Sequence, residues 1–243
     1  MKAWVLEDIG NFTYKETDPP KPQKDEALVR VRNCGICGSD IPRVYKDGAH
    51  VMPLVIGHEF SGEVVSAGDD SNRNWEGKRV GIYPLIPCMR CPQCLEGHFE
   101  MCRNYGYLGS RRDGGFAEYA AVPVWNLIDL PDSVSFEQAA MLEPMAVASH
   151  AIRSLSVSKR DTIAVYGQGT IGLFITMLLL AEGHTDVFVF ANHELQIEKA
   201  LQLGVPDDNI CNIRNNDPLK WAFERTCGRG FDSSFEAVGS SVT

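Results

Sequence analysis

Two patterns of apolar positions divide the chain. Up to about Pro123, short runs such as Ala27-Leu28-Val29-Arg30-Val31 alternate apolar and polar side chains, the period-two signature of a half-buried strand. Gly62-Glu63-Val64-Val65-Ser66-Ala67-Gly68 has the same character, and Pro19, Pro20, Pro22, Gly77 and Pro84 punctuate the runs. After Pro131 the period changes. Phe136 to Leu155 carries helical spacing and predicts connecting helices. Thr162-Ile163-Ala164-Val165-Tyr166 predicts a buried strand, followed by three glycines and a long apolar helix. Val187 to Phe190 predicts a second strand, Glu194 to Leu203 a helix stopped by Gly204, and Ile210 marks a further short strand. A helix from Pro218 to Thr226 and a strand from Phe231 to Phe235 complete the alternation. Strand-helix-strand repetition implies a parallel sheet covered on both faces. The expected fold is α/β, with a β-rich first domain over residues 1–150 and a second domain over 151–243.

Composition narrows the function classes. Of 243 residues, 44% are hydrophobic and 23% charged, the balance of a globular protein with a real core. The net charge of −9 argues against nucleic-acid or anionic-membrane partners. The longest apolar run, Ile171 to Ala181, is too short to span a bilayer. The first residues, Met1-Lys2-Ala3-Trp4-Val5-Leu6-Glu7, lack the apolar stretch of a secretory signal, so a cytoplasmic location is expected.

Four of the eight cysteines, Cys88, Cys91, Cys94 and Cys102, are spaced C-x2-C-x2-C-x7-C. Thiolates two residues apart in a tight loop converge on one tetrahedral cation, and the fourth closes the shell. The expectation is a structural zinc lobe over about residues 84–105. Disulfides fit poorly with a reducing compartment. The bacterial ferredoxin pattern ends C-x3-C-P, whereas Arg103 follows Cys102 here.

Gly167-x-Gly169-x-x-Gly172 follows a strand and opens a helix, the context that marks a dinucleotide-binding turn. Gly167 allows the tight turn, Gly169 lets backbone approach a pyrophosphate, and Gly172 permits close helix–strand packing; the anion rests near Thr170 and Ile171 at the helix start. The alternative is a glycine-tolerant turn without a ligand. A fold selecting NAD ends its second strand in Asp or Glu, which binds the ribose diol. Ala191, Asn192 and His193 stand there instead, and Glu194 lies too late. The missing acid leans towards NADP, yet no arginine is in view, so NAD and NADP both stay open.

Cys37-Gly38-Ser39-Asp40 and Gly57-His58-Glu59 supply a thiolate and an imidazole on separate turns, suited to a second, open-shell zinc. Taken alone, His58 could equally be a hydrogen-bonded turn histidine and Cys37 a buried small apolar side chain. With Leu142-Glu143-Pro144, the cysteine lobe and Gly167-Gln168-Gly169-Thr170-Ile171-Gly172, the order of motifs resembles the zinc-dependent medium-chain alcohol dehydrogenases, in their polyol dehydrogenase branch. Cys37 through His50 and Gly109 through Tyr119 are most similar to the galactitol-1-phosphate 5-dehydrogenase sub-family.

The resemblance implies a GroES-like catalytic domain followed by a Rossmann dinucleotide-binding domain, two zinc ions per chain, and NAD or NADP. It implies Cys37, His58 and Glu143 as ligands of the catalytic zinc, with Glu59 binding the metal directly or sitting just behind it. Asp40 would orient His58, and Ser39 would contact the substrate oxygen. Pro42 stands where relatives often carry a relay histidine. The implied reaction is hydride transfer between a secondary alcohol of a polyol, or a polyol phosphate, and the nicotinamide. Arg43, Lys46, Arg111 and Arg112 are candidates for a phosphate-binding role, each also readable as a solvated loop charge. Sorbitol-like and threonine-like dehydrogenases are the nearest rivals, and a non-catalytic zinc-stabilised nucleotide-binding module is the rival from another class.

A complete dinucleotide fold has six strands, and four are found. The second domain is therefore expected to be C-terminally incomplete, with the flank of the fourth strand exposed, and activity of this chain is not expected to match that of a full-length enzyme. A homo-oligomer is the expectation for a full-length family member.

Overall fold

The computed structural model describes residues 1–239 of the chain. It divides into two units, Met1–Glu143 and Pro144–Thr243.

The first unit is built from strands β1 (Lys2–Asp8), β2 (Asn11–Glu16), β3 (Glu26–Gly35), β4 (Leu54–Val55), β5 (Glu59–Ala67), β6 (Arg79–Ile82), β7 (Leu85–Ile86), β8 (Gly106–Tyr107), β9 (Tyr119–Pro123) and β10 (Leu127–Asp129). An antiparallel sheet runs β10-β6-β5-β3-β9, a second runs β2-β1-β4, and β7 pairs with β8. The alternation read from the sequence is realised in side-chain direction. Val29 pairs with Val64 on one side and Ala120 on the other, all three buried in one cluster with Phe60, Val80 and Val122. Short α-helices α1 (Asp40–Pro42) and α2 (Pro92–Leu95) lie between the strands, and α3 (Phe136–Ala140) follows β10. Ser135 and Gln138 form a reciprocal capping box that starts α3.

The register of β3 against β5 matters most for function. Gly35 pairs with Glu59 and Cys34 with Phe60, so the end of β3 lies beside the start of β5. Cys37 is two residues past that end, and His58 is one residue before that start.

Helix α4 (Leu142–Arg153) leads to the second unit, where β11 (Ile163–Tyr166), β12 (Val187–Ala191), β13 (Ile210–Asn212) and β14 (Ser233–Glu236) alternate with α5 (Thr170–Ala181), α6 (Glu194–Gln202) and α7 (Pro218–Arg225). The sheet is parallel, in the order β13-β12-β11-β14. Because side chains alternate across a strand, two apolar sets result. Ile163, Val165, Val187 and Val189 pack with Ile175 and Leu179 of α5 and Ala200 of α6. Ala164, Phe188 and Phe190 pack with Trp221 of α7. Strand β14 starts two residues later than the apolar run suggests. Asp232 is occupied as a clamp, its Oδ2 accepting from Thr162 N and Thr162 Oγ1 at 2.8 Å each. The fold is the GroES-like plus Rossmann α/β combination. Among the described residues no helix is long and apolar enough to cross a membrane.

Candidate active site

A reciprocal turn fixes the thiol. Asp40 N donates to Cys37 O at 3.0 Å, and Cys37 N donates to Asp40 Oδ2 at 3.0 Å. Gly57, with φ of +94°, then turns the chain into His58. A side chain there would collide with the Phe116 ring at 2.5 Å, which glycine avoids. Glu59 opens β5. The ligand atoms of Cys37, His58 and Glu59 all lie within 4.8 Å of one another, with His58 and Glu59 buried. Among the described residues buried His58 Nδ1 has no hydrogen-bond partner, and it lies 3.7 Å from Asp40 Oδ1. A thiol, an imidazole and a carboxylate brought together in this way fit a zinc ion with an open position.

Glu143 takes a different place. It is not one of this converging group; its Oε1 accepts a hydrogen bond of 3.1 Å from the Tyr107 hydroxyl. Tyr107 in turn presents its ring to His58 at 5.9 Å between centroids. Burial pushes the Glu59 carboxyl above its ordinary value; His58 opposes the rise and Glu143 adds to it. Burial also raises Cys37, against hydrogen bonds from Ser39, and it raises Tyr107 together with Glu143. Tyr107 is a residue that sequence reasoning missed, because nothing in its local pattern points to a carboxylate 36 residues away.

His58 and Tyr107 border a cavity of about 740 Å³ whose wall also includes Ser39, Pro42, His50 and Tyr105. The four expected cations fare differently. Arg43 lines the cavity, but its Nη1 is held by buried Asp40 at 2.6 Å. Arg111 stacks over the Tyr105 ring at 4.6 Å. Lys46 is exposed and, like Arg111, is not part of that wall. Arg112 already has a partner: its Nη2 pairs with Glu26, a carboxylate only 5% exposed at the start of β3. The Asp40 oxygens accept from Arg43 and the Cys37 amide, while Oδ1 also lies beside His58 Nδ1.

The four-cysteine lobe closes on itself. Cys88, Cys91, Cys94 and Cys102 offer sulfurs within 4.8 Å of one another, and all are free thiols. Cys91 Sγ lies 3.5 Å from Cys94 Sγ, and Cys88 Sγ lies 4.0 Å from it. A tetrahedron with zinc–sulfur bonds of about 2.3 Å requires sulfurs about 3.8 Å apart, so the cage fits that ion. Backbone N–H groups of Arg103 and Cys94 draw the Cys91 thiol down to about 6, and that of Arg90 lowers Cys88. Burial pushes Cys94 up.

In the second unit, Gly167 has φ of +84° and its N–H donates to Phe190 O at 3.0 Å, tying the turn to β12. A side chain at Gly172 would meet Gly167 O at 1.8 Å, so α5 packs against the turn only with glycine there. Gly169 faces open space at the start of α5, followed by Thr170 and Ile171. Ala191 is buried at the end of β12, while Asn192 and His193 are exposed. Arg214, unmarked by any motif, places Nη2 3.2 Å from His193 Nδ1.

Comparison with known proteins fits this construction. Residues 23–132 match the alcohol dehydrogenase GroES-like domain. Galactitol 1-phosphate 5-dehydrogenase of Escherichia coli K12 is 40% identical over 188 residues, covering 77% of this chain and 54% of that protein. Sorbitol dehydrogenase of Bacillus subtilis 168 is 32% identical over 246 residues, covering 99% of this chain and 69% of that protein. The crystal structure of galactitol-1-phosphate dehydrogenase from Escherichia coli superposes with a TM-score of 0.87 at 33% identity, covering 98% of this chain and 69% of that one. The chain belongs to the zinc-dependent medium-chain alcohol dehydrogenase family. It spans about half the length of the galactitol 1-phosphate relative.

Proposed function

We propose that the protein is an oxidoreductase that transfers a hydride between a secondary alcohol of a polyol or polyol phosphate, of the galactitol 1-phosphate kind, and NAD or NADP. The observation that carries this reading is the convergence of Cys37, His58 and Glu59, with His58 forming part of the wall of a polar cavity. Those three side chains would hold a zinc ion, with Glu143 behind Tyr107 as a further carboxylate, and the cysteine lobe would hold a second ion. Zinc supplies a Lewis acid for the substrate oxygen, and the nicotinamide supplies or takes the hydride.

The chain's own groups position the substrate and move its proton. Ser39 lines the cavity and can relay the alcohol proton at Oγ, accepting it as its own hydroxyl proton passes on. His50 is an ionisable group on the same wall that can pass it to water, in a protein where Pro42 offers no relay. Asp47 and Glu100 supply acceptors for polyol hydroxyls, while Arg43 and Arg111 supply positive charge for an anionic end.

The test follows nicotinamide absorbance with galactitol 1-phosphate, galactitol, sorbitol and threonine, before and after metal removal. Turnover of a polyol or its phosphate that is lost with the metal and restored by zinc supports the proposal. Binding of the nicotinamide without turnover of any panel member in the zinc-loaded protein overturns it. Arg111→Ala is expected to raise KM for the phosphorylated polyol about tenfold and leave the unphosphorylated one unchanged. Equal effects on both would remove the phosphate from the account.

A further inference from the structure

The end of β12 carries a cation that arrives from elsewhere in the sheet. Strand β13 lies parallel to β12 with Ala191 opposite Asn212, and Ile213 N still donates to Ala191 O at 3.0 Å. The next residue is Arg214. Its backbone is held in a turn organised by Asn212: Arg214 N donates to Asn212 Oδ1 at 3.0 Å, and the N–H groups of Asn215 and Asn216 donate to Asn212 O at 3.1 Å. The turn aims the guanidinium back at β12, with Nη2 3.2 Å from His193 Nδ1.

Guanidinium nitrogens only donate, so His193 Nδ1 accepts and the imidazole carries its proton on Nε2. Two donors, the guanidinium and an imidazole N–H, therefore stand together beside the exposed Asn192. The carboxylate that would bind a ribose diol, and repel a phosphate, is absent: buried Ala191 ends the strand. Glu194, in the first turn of α6, is the acidic residue next along the chain. Among the described residues Arg214 is bonded to the His193 ring and to no carboxylate, and so keeps its charge for a ligand.

From this cluster we infer that Asn192, His193 and Arg214 form a 2′-phosphate site and that the protein selects NADP(H) over NAD(H). The inference rests on the nicotinamide-dependent reading above and adds the cofactor. A dianionic phosphate on the ribose meets a planar fork able to make paired, charge-assisted bonds, with the imidazole N–H as a further donor. A bare ribose hydroxyl gains little from the same groups and lacks the acceptor it would use in an NAD site.

The test is binding, measured without substrate by titration of NADPH and NADH against the protein's fluorescence. NADPH is expected to bind at least about tenfold more tightly. Arg214→Ala should weaken NADPH by about 10- to 100-fold and leave NADH within about twofold, while Arg214→Lys recovers part of the loss. In competition, 2′,5′-ADP should displace NADPH from the parent more effectively than 5′-AMP does. Arg214 is exposed, and unchanged melting of the variants checks that the fold is intact. NADH binding as tightly as NADPH, or Arg214→Ala weakening both equally, overturns the inference and leaves the dehydrogenase reading standing. Binding of neither dinucleotide overturns both.

Discussion

Gly35 offers the sharpest probe of the metal site, because it lies outside the proposed ligand set and yet controls one member of it. It ends β3 directly opposite Glu59. A methyl group at Gly35 would lie 2.3 Å from Glu59 Oε2 and 3.2 Å from Glu59 Cβ, where ordinary contact begins near 3.4 Å. The Cβ contact is set by backbone and can yield only slightly. The carboxylate must therefore withdraw by about 1.1 Å, the difference between 3.4 and 2.3 Å. Metal ligands tolerate displacements of about 0.2 Å, so the Glu59 carboxylate would leave the position from which it would reach an ion shared with Cys37 and His58. Disturbing the support of a ligand costs about 10- to 100-fold in metal affinity, and displacing the ligand itself should reach the upper end. Gly35→Ala is thus expected to weaken zinc at this site by about 100-fold, equivalent to about 2.7 kcal/mol. Fold stability should fall by about 1–3 kcal/mol from overpacking. The assay is competition with a chromophoric chelator, with cobalt absorption as the reporter of coordination. The cysteine lobe should retain its ion throughout. Gly38→Ala is the control, since a methyl group there meets no atom within 4 Å. If Gly35→Ala kept parent affinity and an unchanged cobalt spectrum, Glu59 would be a buried structural carboxylate and not a ligand.

Two further outcomes are expected. Tyr107→Phe leaves Glu143 Oε1 without its donor, and the lost bond to a partly buried carboxylate should lower unfolding stability by about 1–3 kcal/mol in chemical denaturation; an unchanged midpoint would mean that water replaces the hydroxyl at no cost. Asp232→Asn tests a pH term. Hydrogen bonds from Thr162, its backbone N–H first, hold the Asp232 carboxyl below the usual range. A depressed value stabilises the folded state at neutral pH, and the contribution is lost as pH falls through the lowered value. The gap in thermal midpoint between parent and variant should therefore be constant from about pH 7 to pH 5 and close below about pH 4. A gap that does not change with pH would show that the charge on Asp232 contributes nothing.

What could be read from the sequence depends on how far apart the interacting residues lie along the chain. The cysteine lobe closes over fifteen residues, Cys88 to Cys102, and its spacing alone announces a cage. The turn Gly167 to Gly172 is equally local, and the strands of the second unit are marked by apolar runs buried on both faces. Charged side chains are where sequence reading fell short, because the availability of a charge is decided by its partner. Arg112 sits in a stretch that suggested phosphate binding, but it pairs with Glu26, 86 residues away, once β3 and β9 are in register. Arg43 is partly neutralised by Asp40, a residue also needed to fix the Cys37 turn. Arg214 is illegible in the sequence for the converse reason. It follows β13 and not β12, and only the sheet order β13-β12-β11-β14 brings it to the end of β12, where an NAD-selecting fold carries an acid. A guanidinium serves a ligand when the fold gives it no carboxylate, and by that criterion Arg214 is a better anion site than Arg112, and than Arg43 while Asp40 holds its Nη1.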